Sequence, residues 1–317
     1  MTMTIREAYA QGSTDLKFAG IPSPTLDASI LLAHVLKTNR TSLVVKGLDT
    51  ISTSNCKKYC SLIERRALGE CIAYIIGKKE FRGLEFEINK SVLVPRPDTE
   101  TLIEAAIEIL TKESHTETRT SNQRFGGGND PKILDLCTGS GAVAIALKNE
   151  RPELEVHATD ISPAALKVAI KNSENLLGKN KINFYQGDIF NSLNNPISSS
   201  ILRVSSEPLV RCLCELFSLI VSNPPYVPTA EIETLSAEVQ NEPRLALDGG
   251  ACGLEIIKRI IEETPNYLQK GGSLLLEADP RQMEEIKTLL AKRGFTSLQL
   301  FKDLSGADRV IGGIFEE

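Results

Sequence analysis

Residues 132–148 read KILDLCTGSGAVAIALK. The apolar run Lys132-Ile133-Leu134-Asp135-Leu136 predicts a buried strand, and Ala142 to Lys148 predicts a helix. Between them, Cys137-Thr138-Gly139-Ser140-Gly141 is a turn of small residues. Glycines let a backbone pass close to a ligand, and the N-terminus of the following helix offers free N–H donors. No Gly-Lys-Ser/Thr follows, which excludes a Walker loop. Cys137 occupies the first glycine of a dinucleotide fingerprint and the third glycine is absent, so that motif is not met either. The stretch predicts one strand–turn–helix step of an open α/β sheet, with a ligand at the strand's carboxyl end.

The next strands repeat the pattern. Leu154 to Thr159 predicts a strand ending in Asp160, whose carboxylate can take both hydroxyls of a ribose. Lys181 to Gln186 predicts a third, ending in Gly187-Asp188, an acid placed to accept from an adenine amino group. Leu216-Phe217-Ser218-Leu219-Ile220-Val221 predicts a fourth, running into Asn223-Pro224-Pro225-Tyr226. Each proline fixes its own φ and removes a backbone donor, and the residue before a proline is pushed out of the helical region. The Asn223 amide and nearby carbonyls are thereby held beside an aromatic face, which suits gripping a planar amino or amide group. One such polar strand end is commonly a helix cap or a turn residue. Four in series predict a ligand-binding edge.

Together these motifs resemble the class I S-adenosylmethionine-dependent methyltransferases that modify planar nitrogen. The chain is more closely similar to the HemK/PrmC family, the glutamine methyltransferases of peptide-chain release factors. Tyr74-Ile75-Ile76-Gly77, Phe81-Arg82-Gly83-Leu84, Phe86 and Val94-Pro95-Arg96-Pro97-Asp98-Thr99-Glu100 resemble that family's linker signature. Asn241 to Gly250 follows the tetrapeptide as in the family, Asp303 to Val310 resembles its C-terminal strand, and Leu26 to Leu36 its N-terminal helix. There are departures. Cys137 stands where many members have Gly, Ile189 where some have an aromatic near the adenine, and Cys252 where an Asp often precedes Gly-Leu. Residues 277–282, Glu-Ala-Asp-Pro-Arg-Gln, vary the usual Glu-Ile-Gly turn.

The resemblance implies a class I, Rossmann-like, seven-stranded methyltransferase sheet with a small N-terminal helical domain. It implies S-adenosylmethionine bound by Asp135, Cys137, Thr138, Gly139, Ser140, Gly141, Asp160, Asp188, Ile189 and Asn223. It implies catalysis by Asn223, Pro224, Pro225 and Tyr226, with the tyrosine packed on the substrate amide plane. The implied substrate is the glutamine of the Gly-Gly-Gln loop of class I release factors. The alternatives are a glutamine of a large-subunit ribosomal protein or the amino group of an adenine.

Composition agrees. At 317 residues and 41% hydrophobic content the chain can bury a large core and is expected to split in two. No apolar stretch approaches the ~20 residues of a membrane span, and no basic-then-apolar leader opens the chain. Seven Cys without a paired C-x-x-C, and three scattered His, give no metal site and suggest free thiols in a reducing cytoplasm. The net charge of −5 argues against a duplex-DNA enzyme, which needs Lys and Arg around its cleft. A monomer is expected. The breaks divide the chain into a helical docking domain at 1–76, a β-hairpin linker at 77–95 and a catalytic domain at 96–317. Ser114 to Asp130 reads as a mobile polar loop and Asn191 to Cys214 as an insertion.

Overall fold

The structure, a computed structural model, describes residues 3–115, 131–194 and 216–316, in two compact units. The expected polar loop and the expected insertion fall almost wholly outside the described residues.

The first unit comprises Met1–Lys78 together with Leu235–Asn241. Its helices are α1 (Ile5–Phe18), α2 (Pro24–Leu36), α3 (Arg40–Val45), α4 (Thr53–Ala67) and α5 (Ile72–Ile76). Thr4 caps α1 and Glu7 completes a capping box, while Pro24 starts α2 where its missing N–H costs nothing. Leu16, Leu31, Leu32, Tyr59 and Ile63 form the core. Gly12 lies where α1 crosses α4: a Cβ there would meet Tyr59 Oη at 2.1 Å, and that hydroxyl donates to the Ala28 carbonyl at 3.2 Å. Arg66 is buried at 2% exposure between the carboxylates of Asp27, at 2.8 Å, and Glu238. A short antiparallel pair, β1 (Met3–Thr4) with β2 (Thr50–Ile51), was not foreseen from sequence. Nor was the recruitment of residues 235–241, which no reading along the chain could place.

The second unit comprises Lys79–Thr234 and Glu242–Glu317. A hairpin of β3 (Lys78–Phe81) and β4 (Leu84–Glu87) turns at Arg82-Gly83, both at positive φ, as a two-residue hairpin turn demands. The main sheet has seven strands in the order β10-β11-β9-β8-β5-β6-β7. They are β5 (Lys132–Leu136), β6 (Glu155–Asp160), β7 (Asn183–Gln186), β8 (Phe217–Ser222), β9 (Leu268–Glu277), β10 (Phe295–Lys302) and β11 (Asp308–Phe315). Strands β5 to β9 pair in parallel and β10 and β11 pair antiparallel. Every residue of β8 is buried, as expected of a strand covered on both faces.

The covering helices are α6 (Glu100–His115), α7 (Ala142–Glu150), α8 (Pro163–Leu177), α9 (Glu255–Glu263) and α10 (Met283–Lys292). The chain runs from β5 outward to β6 and β7, then returns to β8 on the other side of β5. That reversal opens a crevice at the carboxyl ends of β5 and β8. Among the described residues, no helix is long and apolar enough to cross a membrane.

Candidate active site

The crevice holds a cavity of about 290 Å³, and each strand end contributes to it differently. Asp135, at 1% exposure, accepts from Thr138 Oγ1 at 2.6 Å and from the Ala144 backbone at 3.2 Å. Burial pushes its carboxyl up to about 7, against those two hydrogen bonds and with help from the charge of Asp160. Asp135 therefore braces the turn from below. Gly141 caps α7 at φ 83, where a Cβ would meet Ile145 at 2.9 Å and Ala169 at 3.2 Å. Cys137 holds φ 60, the left-handed region that glycine takes without strain.

Asp160 accepts from Gly139 N at 2.9 Å through one oxygen and from Ser162 N at 2.8 Å through the other. Burial raises its pKa, and the two backbone bonds oppose the rise. A carboxylate has about four acceptor sites, so Asp160 keeps capacity for a pair of ligand hydroxyls. The two oxygens of Asp188 face Arg259 of α9, at 2.6 and 3.3 Å. Sequence reading placed the acid but missed the arginine, which lies one helix away. Ile189 sits at φ 53, a strained conformation for a β-branched side chain that costs about 1–3 kcal/mol. Ile189 and Cys137 both line the cavity.

The lining includes Asp135, Asp160 and Asp188 and, among the described residues, no Lys or Arg. Such a wall suits a cationic ligand bearing hydroxyls and disfavours a nucleotide phosphate. A nucleoside carrying a sulfonium fits it.

The Asn-Pro-Pro-Tyr turn leaves β8 at the cavity edge. Asn223 Nδ2 donates to Thr99 Oγ1 at 3.1 Å. That side of the amide is turned to Thr99, which leaves Oδ1 as the group Asn223 can offer a ligand. Asn223 and Pro225 line the cavity, whereas Pro224 and Tyr226, expected beside them, do not. Pro224 is buried, and Tyr226 packs against the sheet core. Burial and the charge of Glu277 hold the Tyr226 hydroxyl well above its usual range.

The segments around the turn clamp it. Gln282 Nε2 donates to the Tyr226 carbonyl at 3.0 Å and to that of Cys252 at 3.3 Å. Val227 donates to the Leu247 carbonyl at 2.9 Å, and Gly249 back to Val227 at 2.9 Å. A Cβ on Gly249 would meet the Pro225 carbonyl at 2.7 Å, so only glycine passes there. Buried Glu242 accepts from the Val94 backbone at 3.2 Å and pairs with Arg96.

Glu277 ends β9 at 1% exposure. The register pairs Ser222 with Leu276, which sets Glu277 level with Asn223 on the adjacent strand. Its Oε2 has no hydrogen-bond partner among the described residues. Burial pushes its pKa up to about 7, although Thr99, Arg309 and Asn223 all favour the ionised form. Thr99 and Glu277 were not named as site residues from sequence, although each falls in a stretch that resembles a family motif, Val94–Glu100 and 277–282. Their nearness to Asn223 exists only in the folded sheet.

Comparison with known proteins gives a consistent picture. Residues 7–77 match the family model described as PrmC N-terminal domain, and residues 128–299 match a methyltransferase domain. The release factor glutamine methyltransferase of Deinococcus radiodurans is 34% identical over 261 residues, covering 82% of this chain and 81% of that protein. The release factor glutamine methyltransferase of Clostridium acetobutylicum is 32% identical over 310 residues, covering 98% of each. Among solved structures, the hMettl16 catalytic domain superposes with a TM-score of 0.50 at 16% identity, covering 80% of this chain and 81% of that one. That last likeness shows the fold alone.

Proposed function

The chain belongs to the PrmC family of release factor glutamine methyltransferases, and we propose from that premise how its own residues carry the reaction. It is an S-adenosylmethionine-dependent protein-glutamine methyltransferase whose substrate is the glutamine of the Gly-Gly-Gln loop in class I release factors. The observation that carries the residue assignment is the Asn223 amide, fixed by Thr99 at the edge of an acidic cavity that no Lys or Arg lines among the described residues.

Bound S-adenosylmethionine supplies an electrophilic methyl group on a sulfonium centre. Asp160 holds the ribose hydroxyls, the Cys137–Gly141 turn passes along the ligand, and Asp188 with Ile189 borders the base. An amide nitrogen is a poor nucleophile because its lone pair is delocalised. Asn223 Oδ1 at the cavity edge and the backbone carbonyl of Pro224, a residue otherwise buried and off the cavity wall, accept the two N–H groups of the substrate amide. They turn the nitrogen lone pair toward the methyl group and stabilise the positive charge that develops as the N–C bond forms and the S–C bond breaks. Neither Pro224 nor Pro225 has an N–H to compete as a donor. The methylated nitrogen is then a strong acid and loses its extra proton to solvent.

The helical N-terminal region, residues 1–76, serves to dock the protein substrate. The chain acts as a monomer in the cytoplasm, where release factors work, and makes no direct DNA contact. The acidic net charge supports the last point. The test is incubation with methyl-labelled cofactor and, separately, purified class I release factor, ribosomal large subunits and DNA. Label on the glutamine of the Gly-Gly-Gln peptide supports the reading. Label confined to ribosomal protein or to adenine overturns it.

A further inference from the structure

We infer that Thr99 and Glu277 are positioning residues that decide which edge of the Asn223 amide faces the reacting glutamine. The inference rests on the role given to Asn223 above. The two ends of an asparagine amide are nearly equal in shape but opposite in hydrogen bonding: one accepts, the other donates twice. Flipped, Asn223 would present donors to the substrate's own donors, and the clamp would fail. Something must therefore hold the amide one way round.

Thr99 Oγ1 receives the Asn223 Nδ2 donor at 3.1 Å, and Thr99 is itself 4% exposed. A hydroxyl can play either part, so Thr99 alone does not choose. Its backbone N–H is tied to the Arg96 carbonyl at 3.1 Å, which fixes where the hydroxyl sits but not where its proton points. Glu277 supplies the choice. An ionised carboxylate only accepts. Beside it, the Thr99 proton points to Glu277, and the Thr99 lone pairs face Asn223 Nδ2. Direction passes from the carboxylate to the amide both through the Thr99 hydroxyl and through the hydrogen bond that the Asn223 amide itself gives Glu277. When Glu277 takes up a proton it becomes a donor, Thr99 is free to donate to the amide, and either orientation of Asn223 is tolerated.

The surroundings leave this choice to Glu277. The charged and titratable groups facing it are Asp98 from the turn before α6, Tyr226 from the turn after β8, and Arg309 from β11, while Arg96 faces Tyr226. Arg309 is itself engaged with Asp98 at 3.3 Å and with Asp303 at 3.1 Å. A buried carboxyl oxygen without a partner is costly, and a glutamine would fill the same space without a charge. A purely structural position gains nothing from the acid, whereas a directional relay needs it.

Two measurements on the full chain test this. In the first, the Asn223 side-chain amide is followed by asparagine-selective 15N NMR from pH 5 to 9 without substrate. The relay predicts that its signals titrate with a midpoint near that of Glu277, and that the titration disappears in Glu277→Gln. In the second, methyl transfer to a class I release factor is measured over the same range. Wild-type kcat should rise as pH passes through the Glu277 midpoint. Glu277→Gln should lose that limb, and Thr99→Val should lower kcat by roughly ten- to a hundredfold. Thr99→Ser should recover most of the loss, with the Kd for S-adenosylmethionine unchanged throughout. A wild-type amide that does not titrate, or folded Thr99→Val and Glu277→Gln proteins with wild-type kcat and pH profile, would overturn the relay. A titrating amide in a protein that does not methylate release factor would support the relay and overturn the substrate assignment instead.

Discussion

Arg66 and Glu277 are both buried charged residues, and the molecule treats them in opposite ways. In the N-terminal unit Arg66 meets Asp27 at 2.8 Å and Glu238, and its NH1 donates to the Glu70 carbonyl at 3.2 Å. Each nitrogen of the guanidinium has a partner, two of them carboxylates. In the sheet unit Glu277 keeps an oxygen without a partner beside the residue proposed to grip the substrate. A saturated buried charge is architecture. An unsaturated one costs stability and persists where function needs it.

The largest effect should come from breaking the saturated side. Asp27→Ala leaves the Arg66 charge buried with one carboxylate fewer, and it also removes the acceptor of Ser23 Oγ at 2.8 Å. Truncating one partner of a buried ion pair costs about 3–5 kcal/mol. Urea unfolding should show the N-terminal unit melting early, while the sheet unit still binds S-adenosylmethionine. If stability is unchanged, the pairing around Arg66 is not what holds that unit together.

Next comes the Asn-Pro-Pro-Tyr turn, proposed to grip the substrate, where the loss should fall on rate and not on stability. Asn223→Ala removes the oriented acceptor and leaves the prolines to keep the backbone. Turnover should drop about 10²–10³-fold, as when a preorganised donor or acceptor is removed elsewhere. Cofactor affinity should change little, which calorimetry can check. Methylation near the wild-type rate in the Ala variant would remove Asn223 from the clamp.

A smaller effect is expected at Asp160, and there it should appear in binding. Each hydrogen bond to a charged acceptor is worth about 1.5–3 kcal/mol. Asp160→Ala also releases Gly139 N and Ser162 N, so the turn loosens while the strand stays. Calorimetry should find weaker S-adenosylmethionine binding in a folded protein. Unchanged affinity would take Asp160 out of the site.

How legible these features were in the sequence depended on whether neighbours in space are neighbours in the chain. The strand ends at Asp135, Asp160, Asp188 and Asn223 could be read because each closes a local apolar run, and the parallel sheet brings all four to one edge. The small-residue turn was likewise local. Thr99 and Glu277 stood in family-like stretches, but their place beside Asn223 was not legible, because only the order β9-β8-β5 and the turn before α6 carry them there. Arg259 was invisible for the same reason: it reaches Asp188 from a helix in a later part of the chain. Tyr226 shows the reverse case. An aromatic next to Asn-Pro-Pro suggests a stacking face, and here it packs, partly buried, against the sheet core while Pro225 lies at the cavity wall. The recruitment of residues 235–241 into the N-terminal unit, through Glu238 on Arg66, had no local signature at all.

The smallest effect should carry the opposite sign. Glu277 has its pKa raised from 4.5 to about 7 by burial. A group whose folded pKa is raised contributes stability that is fully present below its unfolded pKa and is lost as pH rises through the folded one. For Glu277 that loss falls between pH 4.5 and about 7. Asp135, raised to about 7 for the same reason, pulls in the same direction. A shift of this size converts to about 3 kcal/mol at pH 8. Glutamine escapes the ionic part but still brings an amide into the same site, a desolvation cost of about 1–3 kcal/mol if unpaired. Glu277→Gln should therefore raise unfolding stability by about 1 kcal/mol at pH 8 and lower it by about 1 kcal/mol at pH 5, where the carboxyl of the wild type is mostly neutral. Thermal unfolding across that range is the measurement. A variant that is less stable than wild type at pH 8 would mean that the Glu277 charge is answered in the fold as fully as that of Arg66, and the contrast between the two units would collapse.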